Sequence, residues 1–144
     1  MFLNICMKTL IAFLLLWIGS ETNYNVNIPV PNVVKVSEQE LITMYYGNQT
    51  ADSTVHALYD TETDTIYLKD TFNMYDVFDK GILLHEVMHY VHDVNGAVGT
   101  KFRCLAESEA EIYPLQKKYL LEVHGVKWEY DLMFLKVISS CDKR

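Results

Sequence analysis

Ile82-Leu83-Leu84-His85-Glu86-Val87-Met88-His89-Tyr90-Val91 is the stretch around which the chain is organised. It contains H-E-x-x-H. On a helix, His85 and His89 lie one turn apart on the same face. Two imidazoles at that spacing can grip one zinc ion, and the glutamate between them can activate a water held by the metal. Ile82, Leu83, Val87, Met88, Tyr90 and Val91 are all uncharged, which suits a helix buried beside a metal. The competing reading is a core helix that happens to carry two histidines.

Composition sets the frame for that helix. The chain has 144 residues, half of them hydrophobic, with 22% charged. That suits one small globular domain and excludes general disorder. The net charge is −7, and no basic cluster is present, so nucleic acid is excluded as a partner class. No internal repeat is visible.

The first twenty residues read as a targeting segment, leaving 21–144 as a single domain. Lys8 is the only charge before Glu21, and Leu10 to Ile18 is an apolar run followed by Gly19-Ser20. The run has the length of a signal-peptide core and is short for a spanning helix. Export to a periplasmic or extracellular compartment is the expectation. An uncleaved N-terminal membrane anchor is the alternative, and a buried helix of the domain is the third reading. The membrane is otherwise not an expected partner. Cys6 lies in this leader, so Cys104 and Cys141 remain as an even pair in a chain bound for an oxidising compartment. A disulfide between them would tie the C-terminal tail to the segment before a second candidate helix.

Between the leader and the H-E-x-x-H helix, Tyr24 to Val36 holds Pro29 and Pro31 and reads as an extended arm. Ser37-Glu38-Gln39-Glu40 has the form of a capping box, opening a short helix that should stop at Gly47. Asn48-Gln49-Thr50 fits the N-glycosylation sequon. Val55 to Tyr59 and Thr65 to Leu68 are β-rich runs flanking the polar Asp60-Thr61-Glu62-Thr63-Asp64, a hairpin pattern. Asp76 or Asp79 could cap the helix that bears the motif, which should run to about His92 and end near Asn95-Gly96.

A catalytic zinc takes three protein ligands and keeps one position open. At about 100° per residue, His92 lies on the same face as His85 and His89. Two turns separate it from His85, so it suits substrate contact or a supporting position better than ligation. Downstream, Cys104 to Gln116 reads as a second helix carrying Glu107, Glu109 and Glu111. Taking Cys104 as 0° and about 100° per residue, Leu105, Ile112, Leu115, Tyr119, Leu120 and Val123 form an apolar sector. Glu109 falls inside that sector, Glu111 on its edge and Glu107 outside it. Burying an unpaired carboxylate is costly, so a glutamate on a core-facing stripe needs a partner, and zinc would be one. Glu109 is therefore preferred as third ligand, with Glu111 the alternative. A solvated acidic edge is the competing reading.

H-E-x-x-H followed by a glutamate on a second helix resembles the gluzincin group of zincin metallopeptidases. The chain is also similar to small bacterial H-E-x-x-H domains of unknown function, whose second motif reads about E-x-E-A-Y-x-x-Q. Glu109-Ala110-Glu111-Ile112-Tyr113-Pro114-Leu115-Gln116 matches it, with Ile112 in place of a small residue and Pro114 inside the helix. The resemblance implies a small α+β zincin-like fold, in which a hairpin or small sheet packs on the H-E-x-x-H helix beside a Glu-bearing second helix. It implies a peptidase that cleaves peptide or protein substrates with zinc-activated water. Glu86 would be general base, and Tyr113 or His92 would stabilise the transition state or support the ligands. A zinc-binding or interaction module without catalysis is the alternative.

Overall fold

Each element forms where its residues favour it. The computed structural model describes residues 2–46 and 55–141. The order is α1 (Phe2–Glu21), β1 (Asn32–Val36), α2 (Glu38–Tyr46), β2 (Ala57–Asp60), β3 (Thr65–Lys69), α3 (Val77–Val94), a 3-10 turn at Leu105–Ser108, α4 (Glu109–His124) and α5 (Leu132–Ile138). This is a mixed α+β fold: helices against a three-stranded sheet of order β1-β3-β2. β2 and β3 form the expected antiparallel hairpin, with Asp60 opposite Thr65. The loop is one residue shorter than its polar composition suggests, because Asp60 belongs to the strand. Its carboxylate instead organises the turn, accepting from the Glu62 amide and the Thr63 hydroxyl. The arm also differs from expectation at its C-terminal half. Val33, Val34 and Val36 suit a pleated surface, and β1 pairs parallel to β3.

The capping box forms as read. The Ser37 Oγ accepts from the Glu40 amide, and Glu40 Oε1 accepts from the Ser37 amide, both at 3.1 Å. Gly47 and the Asn48-Gln49-Thr50 sequon lie outside the described residues. Asp76 caps α3 by accepting from the Asp79 amide at 2.9 Å. At the other end α3 runs to Val94 and stops at Asn95-Gly96 as expected. Asn95 caps it, and Gly96 leaves the helix at φ 66°, a left-handed conformation that glycine adopts without strain.

The second helix departs further from expectation. Cys104 to Ser108 is not α-helical; the tighter 3-10 turn precedes α4. Pro114 sits inside α4 and removes the amide that would bond Ala110, yet the helix continues past it to Gly125. Ile112 is fully buried against the core, together with Tyr119 and Leu120. Gly81 on α3 faces Leu120; an added Cβ there would meet its side chain at 3.2 Å, so α3 and α4 approach closely. Cys104 and Cys141 form the expected disulfide, which ties the start of the 3-10 turn to the chain beyond α5.

The first helix is built into the core. Ile11, Leu14 and Ile18 are fully buried among α3 residues Leu83, Leu84 and Val87. Trp17 packs edge-on to Tyr119 at 5.4 Å, and Glu21 pairs with Lys118. Among the described residues, no helix is long and apolar enough to cross a membrane.

Candidate metal centre

α3 and α4 together bring three ligand-type side chains to one point. His85 and His89 follow one another by a turn of α3, and Glu109 is the first residue of α4. The Glu109 carboxylate bridges both rings. Its Oε1 lies 2.9 Å from His85 Nε2, and its Oε2 lies 3.2 Å from His89 Nε2. One ligand atom from each residue falls within 4.8 Å of the others. Tetrahedral zinc with ligands at about 2.0–2.2 Å places them roughly 3.4 Å apart, close to these separations. The short Oε1 approach lacks the angle of a hydrogen bond, so this buried oxygen has no hydrogen-bond partner. A shared cation would satisfy it and both rings at once. The donor set therefore fits zinc.

Gln116 completes the orientation. Its Oε1 lies 2.9 Å from His85 Nδ1 and can only accept there, which makes Nδ1 the donor and leaves Nε2 to face Glu109. Gln116 is two turns of α4 beyond Glu109 and in phase with it. That phase is visible in the sequence, but a neutral amide carries no ligand signal of its own, so nothing local marks Gln116 as a site residue.

The charges respond to this packing. Burial alone would lower the His85 pKa, but Glu109 and the nearby Glu86 carboxylate outweigh it and hold the imidazole at about 9. Burial raises the Glu109 carboxyl, and the two histidines overcome that and hold it well below the usual carboxylate range. Glu86 is 8% exposed. Burial pushes its carboxyl up, and His85, His89 and the Tyr59 backbone amide only partly offset that. The Tyr59 amide follows from strand register. His56 O accepts from Lys69 N across the hairpin, so alternation turns the main chain of Ala57 and Tyr59 to the free edge of β2, toward α3.

A cavity of about 720 Å³ opens beside the cluster, lined by the β2 edge, by His85, Glu86, His89, Glu109 and Tyr113, and by apolar side chains from α3, the 3-10 turn and α5. Tyr113 packs edge-on to His85 at 5.1 Å and stacks on Trp128 at 6.0 Å. Burial, with Glu109 and Glu86 nearby, pushes its hydroxyl up to about 12, so it remains a proton donor at neutral pH.

Two candidates lie elsewhere. Glu111 is not brought to the histidine pair. It accepts from Tyr24 at 2.7 Å and Lys101 at 2.6 Å, and meets His92 Nε2 at 2.6 Å. These partners hold it at about 2 against the upward pull of burial. Glu111 therefore lies outside the cluster of His85, His89 and Glu109. His92 is fully buried in that second cluster and does not line the cavity, so it cannot touch a reacting group there. The reason is helical. Glu109 and Glu111 are two residues apart on α4 and point to different sides, and His92 follows Glu111 away from the centre.

A family described as a domain of unknown function (DUF6647) matches residues 5–144, and the chain belongs to it. No curated protein and no solved structure matches the chain.

Proposed function

We propose that this DUF6647 member is a zinc-dependent peptidase, with His85, His89 and Glu109 holding the metal and Glu86 as general base. The observation that carries the reading is the convergence of these three ligand atoms within 4.8 Å, beside a buried glutamate and at the floor of a cavity. Zinc bound there would supply Lewis acidity and lower the pKa of its water toward neutrality. The chain's own residues would do the rest. The outward main chain of Ala57 and the outward carbonyl of Tyr59 can pair with an extended peptide as an added strand, the Tyr59 amide being engaged by Glu86. Glu86, whose raised pKa makes it a better proton acceptor than an exposed carboxylate, takes a proton from the attacking water and passes it to the leaving amine. The protonated Tyr113 hydroxyl can donate to the developing oxyanion. Glu109, first in α4, also favours the helix N-terminus electrostatically while its charge serves the ligand role.

Export of the chain is part of the same proposal. The disulfide and the leader-like composition of the first twenty residues support it. Replacing Glu86 by Gln tests the chemistry. The variant should keep its zinc and its fold and lose about 10²–10⁴-fold in peptide hydrolysis. Hydrolysis as fast as wild type would reject Glu86 as the base. A chain that binds zinc but cleaves no peptide with Glu86 intact would instead support a non-catalytic zinc module.

A further inference from the structure

The wall of the cavity built by the 3-10 turn, Trp128 and α5 is apolar and lightly held. Trp128 precedes α5, Phe134 and Ile138 belong to it, and Leu105 begins the 3-10 turn; all four line the cavity. None of the α5 residues is buried, and Phe134 and Leu105 are each about half exposed. Such large apolar side chains, left open to water on a seven-residue helix, gain from an apolar occupant. Titratable charge in the lining is confined to the metal cluster, to Glu86 and to His56 beside the β2 edge. Apart from His85, Glu86, His89 and Glu109, its described residues include no lysine, arginine, aspartate or glutamate. No lysine or arginine is there to hold a C-terminal carboxylate. There is no spare carboxylate to hold an α-amine.

We infer that the cavity takes an internal, uncharged stretch of peptide, with one large apolar side chain seated against Trp128, Phe134 and Leu105. The inference rests on the peptidase reading for its orientation but not for its binding. The Cys104–Cys141 disulfide fixes this wall. Cys104 directly precedes Leu105, and Cys141 follows Ile138 by three residues, so one covalent link joins the backs of both wall segments. The remaining supports are modest. Asp131 caps α5 by accepting from the Met133 amide at 2.8 Å, and Phe134 packs edge-on to Tyr113 at 6.2 Å.

The test is binding rather than turnover. Capped pentapeptides with phenylalanine, alanine, glutamate or lysine at the centre, alanine elsewhere, are titrated into the full chain carrying Glu86→Gln, so that bound peptide is not consumed. The Trp128 indole signal reads occupancy. The phenylalanine peptide should bind about tenfold or more tightly than the alanine peptide, as expected for burying a large apolar side chain. The charged peptides should bind no better than alanine. Phe134→Ser, at a half-exposed position, should remove most of the preference while zinc content and far-UV dichroism stay unchanged. Reduction of the disulfide should do the same. Phenylalanine and alanine peptides binding within twofold of each other, or no peptide binding at all, would overturn the inference. So would a preference that survives both Phe134→Ser and reduction, or tighter binding of a charged peptide. A phenylalanine preference in a protein that neither holds zinc nor cleaves peptide would leave this inference standing and sink the peptidase reading alone.

Discussion

Raising the pH of the metal-free protein from 6 to 10 should discharge His85 and cost the fold a definable amount. The side chain is 13% exposed, with Glu109 Oε1 at 2.9 Å. Its pKa is raised from 6.5 to about 9, so the folded state holds the proton more tightly than the unfolded chain does. The stability from that charged pair is fully present below 6.5 and is lost as pH rises through 9. At about 1.36 kcal/mol per pH unit, the gap corresponds to about 3 kcal/mol. Denaturant unfolding of chelator-treated protein at pH 6 and pH 10 measures the loss, and NMR titration of the His85 ring locates the midpoint. Glu109→Gln supplies the control. It removes the carboxylate and leaves burial, which acts in the opposite direction, against Glu86 and Gln116 alone, so His85 in that variant should titrate well below its wild-type midpoint. A wild-type midpoint within about one pH unit of the ordinary histidine value, or one unmoved by Glu109→Gln, would refute the geometry of the centre. The same proton must leave when zinc binds, so zinc uptake at neutral pH should release it.

Two other perturbations separate structure from chemistry. A chain beginning at Glu21 loses Ile11, Leu14 and Ile18, all fully buried. At roughly 1.5–3 kcal/mol each, that is comparable with the whole stability of a small domain. Circular dichroism should show it unfolded or melting far below the full chain, and an unchanged melt would mark α1 as a removable leader. Glu111→Gln strips His92 and Lys101 of their carboxylate in the second cluster. It should destabilise by about 1–3 kcal/mol in denaturant titration yet leave zinc content intact, whereas zinc loss would place Glu111 in the centre after all.

Much of this fold is legible in local chemistry. The Ser37–Glu40 box, the Asp76 cap, the hairpin and the Asn95-Gly96 stop are each encoded within a few residues, so short-range reasoning reaches them. Glu109 was also legible, because an apolar stripe that includes one carboxylate implies a partner. What was not legible depends on distant pairing. Asn32–Val36 carries only three valines, and nothing nearby announces that β3 will lie parallel to it. His92 and Glu111 each looked like site residues from their spacing. Only the crossing of α3 and α4, with Tyr24 and Lys101 arriving from elsewhere, sends them to a separate cluster. The apolar first helix posed the hardest case. A leader and a core helix have the same composition, and the packing of this helix against α3 and α4 depends on residues far from it in sequence.

Zinc content of the purified full chain tests the central claim most directly. After purification without chelators and exposure to equimolar zinc, metal analysis should find about one zinc per chain, and His89→Ala should find nearly none while remaining folded. A wild-type chain that stays metal-free, or a His89→Ala chain that holds zinc as tightly as wild type, would contradict the assignment of His85, His89 and Glu109 as its ligands.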